Sequence, residues 1–356
     1  MPIDDKSSIG EFDLIKRFFS RHHPARGASD HSSDATSPLL LGVGDDCALL
    51  NPPPLGEVLA ITSDMLVEGR HFFSNVDPKH LGHKSLAVNL SDLAAMGAQP
   101  EAFTLSFSLP KADATWLDKF AQGLYHLADL HHCKLIGGDT TSGPLNICIT
   151  AFGRVPPQLA LKRGAAMAED DIWVSHVVGD ARLALGHLLS HWTLTPEIFE
   201  RASRRLDLPT PRIELGLALR GLAHAAIDLS DGLLGDLRHI LKASKLNAEI
   251  WIDEVPISSD LAQSPEEIRR LCSLAGGDDY EICFTAPPKN RALIENIMHE
   301  IGLKLTRIGR ILAVKQNDPT PEYAEKFGNF VLIDQHQQKL DRELCQFYLK
   351  SFDHFR

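Results

Sequence analysis

The chain has 356 residues, 36 Lys+Arg against 47 Asp+Glu, and a formal net charge of −11. At roughly 150 residues per domain the length predicts two domains, each able to bury a core. With 44 % hydrophobic and 23 % charged residues the composition is that of a soluble globular protein, and its acidity argues against a nucleic-acid binder. The acid is lopsided, with 29 Asp and 18 Glu. Asp, unlike Glu, favours caps, turns and metal sites over helix surfaces.

In chain order, residues 9–23 place Ile9, Phe12, Ile15, Phe18 and Phe19 at helical spacing. No positively charged, apolar leader precedes them, and no run approaches a membrane span, so neither secretion nor insertion is expected. A polar stretch, Pro24–Pro38, reads as a loop. Strands are predicted at 39–43 and 57–64, then a helix over Pro78–Met96 with Leu81, Leu86, Leu90 and Leu93 as its apolar stripe and Gly97 as its stop. A strand (Phe103–Leu109) and a helix (Ala112–His131) follow. Residues 134–155 read as strand, Gly-rich turn, strand.

Pro156-Pro157 is the best domain boundary. Beyond it come a strand at Asp171–Ser175, helices near 180–190 and 212–223, and a strand-turn-helix over 224–244. Further strands are predicted at 248–253, 280–285 and 330–334, with a helix near 289–301. LSDL at 90–93 echoes LSDG at 229–232, and GGD occurs at 137–139 and 276–278. The echoes point to two domains of related layout facing one cleft. The six cysteines never fall in a Cys-x-x-Cys spacing, so a reducing cytosol fits better than a zinc ribbon or a disulfide framework.

Six segments share one design, an element end carrying Asp beside Gly, Ser or Thr. They are GVGDDCALL (42–50), ITSDMLVEGRHF (61–72), LAVNLSDLAAMGAQP (86–100), IGGDTTSGP (136–144), AIDLSDGLLGDL (226–237) and AGGDDYEICF (275–284). Asp carries its carboxylate on one methylene, which keeps a bound ion close to the backbone. Gly lets main-chain N–H groups approach a phosphate. Mg²⁺ takes one or two carboxylates plus water and phosphate oxygens. Several such turns would hold the several ions that phosphoryl transfer requires.

Each segment alone has a plainer reading. Asp45-Asp46 could be a simple turn. Ser85, Asn89 and Asp92, at i, i+4 and i+7, could be a solvated helix face. Asp228 and Asp231 could be helix caps. The set is more specific than any member. Other signatures are missing: no Walker-type loop, no third glycine of a dinucleotide fingerprint after Gly42 and Gly44, and neither a His-Glu-x-x-His nor a Gly-x-Ser-x-Gly run.

Taken in order, the six segments resemble thiamine-monophosphate kinases, from about residue 9 to the C-terminus. Siblings of the same superfamily share only the general plan. This chain has no N-terminal Cys-Lys pair and ends in SFDHFR rather than a Cys. The resemblance implies an α/β (α+β) two-domain fold of the aminoimidazole ribonucleotide synthetase type. Residues 1–155 would form an ATP/Mg-binding and dimerisation domain whose four-stranded sheet pairs across a homodimer, and residues 156–356 would complete the cleft. It implies a cytoplasmic enzyme that phosphorylates thiamine monophosphate to thiamine diphosphate with ATP and several Mg²⁺ ions, and with neither nucleic-acid nor membrane partners.

Residue by residue, the resemblance makes Asp46, Thr62, Ser63, Asp64, Asp92, Asp139, Asp228 and Asp231 metal ligands. Gly138, Asp139, Arg163 and Ser230 become ATP contacts, and His71, Asp278 and Phe352 contacts to the thiamine moiety. The chain departs from the family pattern in reading Thr-Ser-Asp at 62–64 where Ser-Thr-Asp is common. It also carries Asp278 where Glu is frequent, and a longer 24–38 loop. No catalytic base is expected, because the attacking phosphate oxygen is already largely anionic with a second pKa of about 6. Two alternatives stand beside this reading: another ATP-dependent synthetase of the superfamily, or a non-catalytic Mg-nucleotide sensor.

Overall fold

The computed structural model describes residues 10–20, 38–314, 330–340 and Tyr348, with the side chains of Glu11 and Phe12 left aside. The chain divides into two compact units, Met1–Leu93 with Gln99–Pro157, and Ala94–Ala98 with Gln158–Arg356. Phe352 and most of the 24–38 loop lie outside the described residues.

The first unit runs α1 (Glu11–Phe18), β1 (Leu39–Leu41), β2 (Leu49–Leu50), β3 (Val58–Val67), α2 (Pro78–Ala95), β4 (Gln99–Leu109), α3 (Ala114–Leu130), β5 (Lys134–Ser142) and β6 (Asn146–Val155). Its four-stranded sheet has the order β3-β6-β4-β5, antiparallel except for β4 and β5, which α3 joins as a parallel pair. Alternation in β4 buries Phe103, Leu105, Phe107 and Leu109 on the helix-covered face, where Phe107 stacks on Phe120 of α3. The opposite face of β3 leaves Leu59, Ile61 and Met65 exposed.

Helices α2 and α3 meet through glycines. A methyl group on Gly82 would collide with the Phe120 carbonyl, and one on Gly123 with the Lys79 carbonyl. The polar positions of α2 are not a solvated face: Ser85 and Asn89 are buried. Ser85 Oγ donates to the Leu81 carbonyl (2.7 Å) and Asn89 Nδ2 to the Ser85 carbonyl (3.2 Å), so the helix itself partners them.

The second unit contains β7 (Asp171–Ser175), α4 (Asp180–Leu188), α5 (Pro196–Asp207), α6 (Ile213–Ala218), β8 (Ala225–Asp228), α7 (Leu233–Ser244), β9 (Asn247–Trp251), α8 (Glu266–Ala275), β10 (Ile282–Ala286), α9 (Arg291–Ile301), β11 (Leu305–Leu312) and β12 (Phe330–Ile333). Its mixed sheet has the order β12-β9-β11-β7-β10-β8. Leu233, Leu234, Leu237, Ile240 and Leu241 of α7 pack with Ile172, Val174 and Ile227 in its main core. A second core joins α4 to α5 through Leu183, Ala202 and Leu206.

The two units fit the expected α/β (α+β) class, with local differences. The strand predicted from Phe103 begins at Gln99, because a bulge at Pro100/Ala102 accommodates the missing N–H. The Gly-rich turn predicted after Ile136 is strand: β5 continues to Ser142 and the turn is confined to residues 143–145. Gly138 at φ 144° makes this possible, since a side chain there would strike the Leu105 carbonyl. The helix predicted over 212–223 stops at Ala218, and α5, α8 and β11 lie where no element was predicted.

The close glycine contact yields a stability prediction. Gly123→Ala should destabilise the protein by about 1–3 kcal/mol through forced separation of α2 and α3. A denaturant titration with an unchanged m-value would measure it, and an unchanged midpoint would contradict the packing argument.

Candidate functional site: two carboxylate clusters

In the first unit, strand alternation decides which side chains meet. Thr62 and Asp64, two apart on β3, share the face that receives Asp92 of α2. The Thr62 hydroxyl donates to the Asp92 carboxylate. The carboxyl of Asp64 is pushed up to about 6, first by burial, then by the charge of Asp92 and a hydrogen bond with it. Two carboxylates so close disfavour double ionisation unless a cation stands between or beside them. One helical turn before Asp92, Asn89 Oδ1 is a buried acceptor without a hydrogen-bond partner.

Ser63 turns the other way. Its hydroxyl pairs with Thr150 Oγ1 (2.9 Å) and donates to the Ile149 carbonyl (3.3 Å) on the opposite face of the sheet. Asp46 is exposed in the loop between β1 and β2, its N–H donating to Asp45 Oδ1 (3.0 Å). Asp139, also exposed, lies opposite Ser106 at the β5 edge directly after Gly138, and accepts the Thr140 N–H (2.9 Å). His71 closes the turn after β3: its Nδ1 accepts the Val67 N–H (3.0 Å), which leaves the ring proton on Nε2.

In the second unit two motifs lie together by main-chain bonds. The Asp278 N–H donates to the Ser230 carbonyl (2.9 Å), and the Tyr280 N–H to the Leu229 carbonyl (2.8 Å). Glycines permit this, because a side chain on Gly277 would strike Ser230 and one on Gly232 would crowd Ala275. Ser230, Asp231 and Asp278 are thereby neighbours. Asp228 is buried at the end of β8.

Neither Asp228 nor Asp231 caps α7. The N-cap is Gly232, and Asp236 accepts the N–H groups of Asp231 (3.0 Å) and Gly232 (3.1 Å). Burial, followed by the charges of Asp228 and Asp231, holds the Asp236 carboxyl well above the usual range. Nothing in the local sequence points to this role of Asp236, which stands outside the three-residue spacing of a capping box.

The segment 276–281 divides its acids by role. Asp279 is buried and accepts the Gly179 N–H with both oxygens (2.8 and 3.0 Å), which anchors the start of α4. Glu281, 1 % exposed, binds Arg205 (2.6 Å), Arg212 (2.7 Å through Nε) and the Ser175 hydroxyl (2.6 Å). Asp278, just before these anchors, sits at φ 65°, a left-handed conformation uncommon outside glycine. Arg163 is exposed at the start of a single 3₁₀ turn, Arg163–Ala165.

Among the described residues no three His, Cys, Asp or Glu side chains are arranged to hold one ion by themselves. Mg²⁺ does not need three, since water and phosphate oxygens complete its octahedron. The donors present are hard oxygens in pairs, and the unpartnered Asn89 Oδ1 beside one pair is of the same kind. They fit that ion.

Any cation at Asp64 would compete with a proton. With its carboxyl raised from 3.8 to about 6 in the folded chain, Asp64 favours folding below pH ~4, and that contribution is lost as pH rises through about 6. Mg²⁺ should therefore raise the melting temperature more at about pH 7.5 than at about pH 5. In Asp64→Asn the difference should shrink; an equal Mg²⁺ response at both pH values in the parent would count against this site.

The family described as AIR synthase related protein matches the chain twice, by its N-terminal domain over residues 44–155 and its C-terminal domain over 180–320. A thiamine-monophosphate kinase of Escherichia coli K12 is 43 % identical over 309 residues, covering 86 % of this chain and 91 % of the relative. The crystal structure of a thiamine-monophosphate kinase from Stenotrophomonas maltophilia K279a superposes with a TM-score of 0.75 at 46 % identity, over 79 % of this chain and 90 % of that one. A structure of AaThiL complexed with AMPPCP and TMP superposes at 0.69 with 26 % identity, over 88 % and 92 %.

Proposed function

The chain belongs to the thiamine-monophosphate kinase family and phosphorylates thiamine monophosphate with ATP, and from that premise we propose a direct, in-line transfer supported by several Mg²⁺ ions. The observation that carries the metal part is the Asp64–Asp92 pair, in which burial first and then the neighbouring Asp92 raise the Asp64 carboxyl to about 6. In this reading Thr62, Asp64 and Asp92 serve one metal region, while the Ser63 hydroxyl, on the other face of the sheet, would serve a ligand there. Asp46 is a ligand from the loop between β1 and β2 and Asp139 one from β5, and Asp228 and Asp231 are ligands in the second unit.

Mg²⁺ would neutralise phosphate charge and stabilise the charge on the transferring group. The protein's own groups hold and orient. Gly138, Asp139, Arg163 and Ser230 take ATP, while His71, Asp278 and Phe352 take the thiamine moiety. His71 Nδ1 is occupied by the Val67 N–H, so it would meet its ligand with Nε2 as a donor. The attacking phosphate oxygen is already anionic, and no side chain has to remove a proton from it.

Residues 1–155 are proposed as the ATP/Mg-binding and dimerisation domain, and 156–356 as the domain that supplies Arg163, Ser230 and Asp278. A homodimer formed through the first sheet is supported by Leu59, Ile61 and Met65, which are 42 %, 60 % and 53 % exposed on one face of β3. A cytoplasmic setting is supported by five free cysteines among the described residues. No helix among the described residues is long and apolar enough to cross a membrane.

The protein incubated with ATP, Mg²⁺ and thiamine monophosphate should yield thiamine diphosphate and ADP in equal amounts. Asp64→Asn and Asp139→Asn should each nearly abolish turnover while leaving the fold intact by circular dichroism. Full activity of either at saturating Mg²⁺ would remove that residue from the metal set. His71→Ala should raise KM for thiamine monophosphate more than KM for ATP, and equal effects would move His71 out of the substrate pocket.

A further inference from the structure

Arg163 stands on a turn too short to hold itself: a single 3₁₀ turn of three residues, exposed and internally kinked at Gly164. One side chain pins both ends of that turn. Ser244, the last residue of α7, donates its hydroxyl to the Arg163 carbonyl (3.1 Å) and accepts the Ala166 N–H on the same oxygen (3.2 Å). The turn lies close against the helix, since a Cβ on Gly164 would come within 3.3 Å of the Ala243 carbonyl. Ala166 enters the core beside the leucines of α7.

The charges of Arg163, Arg238 and Lys242 all act on His239, midway along α7, as does that of Asp231 just before the helix. Arg238 and Lys242 are four residues apart and share one side of α7. In a chain of net charge −11 this is a local concentration of cations beside a carboxylate. A triphosphate with its metal has the complementary charges.

We propose that Ser244 is a positioning residue for the nucleotide: its hydroxyl holds the Arg163 turn against the end of α7 and so fixes the main chain from which the Arg163 guanidinium extends. The proposal rests on the reading of Arg163 as an ATP contact. Serine is a poor choice for a helix end on propensity alone, and alanine there would favour the helix. The hydroxyl therefore contributes to the turn rather than to α7.

The test is steady-state kinetics on the full chain at saturating Mg²⁺. Ser244→Ala should raise KM for ATP about fivefold, the loss expected of roughly one hydrogen bond, with KM for thiamine monophosphate and the melting temperature unchanged. Ser244→Thr, which keeps the hydroxyl, should restore the parent value. Arg163→Ala should raise KM for ATP further, and in the Arg163→Ala background Ser244→Ala should add nothing. Multiplying effects in the double variant would overturn the proposal, because the hydroxyl would then act independently of Arg163. Loss in Arg163→Ala without loss in Ser244→Ala would overturn it while leaving the Arg163 reading intact. No change in Arg163→Ala would overturn that reading and the proposal with it.

Discussion

Like charges held closer than they would choose are the constraint around which this protein is built. Asp64 and Asp92 share one face of a sheet, and Asp228, Asp231 and Asp236 share one end of a helix. Carboxylates left to themselves would move apart or take protons. Here they do not move apart, because strand pairing fixes Asp64, helix packing fixes Asp92, and two main-chain N–H groups fix Asp236. Such an arrangement is relieved by a proton on one carboxylate or by a cation placed between them.

The buried acids of the second unit show the other solution to the same problem. Glu281 is paired with two arginines, and Asp279 meets the N–H at the start of α4. Neither is available to a ligand. They fasten the chain immediately after Asp278, whose backbone is left-handed. Of the three acids in residues 278–281, Asp278 alone is partly open to solvent, because its two neighbours are spent on anchoring.

What could be read from the chain beforehand follows from how local the signal was. The helix over Pro78–Ala95 and the strand Asp171–Ser175 were legible because apolar periodicity fixes them without outside help. The family resemblance, carried by six short segments, placed the fold class and the chemistry. The burial of Ser85 and Asn89 was not legible, since polar spacing alone does not say whether a helix face meets water or α3. Gly137-Gly138 looked like a turn, because glycine marks both turns and close approaches, and only the Leu105 carbonyl distinguishes them. The partners of Asp279 and Glu281 lie tens of residues away, at Gly179, Arg205 and Arg212. Ser63 illustrates a subtler limit. Alternation separates its side chain from those of Thr62 and Asp64, although the three are contiguous in the motif.

The pairings of the first sheet differ in how much chain each has to close. β4 and β5 are joined by α3 alone, so that Ala102 meets Lys134, whereas β3 and β6 bring together residues as distant as Val58 and Val155. Loop-closure entropy grows with the length of chain enclosed, and it is the β3–β6 seam that carries the larger cost. The backbone around Gly138 and Asp139 thus belongs to the more local half of the sheet, while the strand that carries Thr62 and Asp64 is held by the most distant pairing in it.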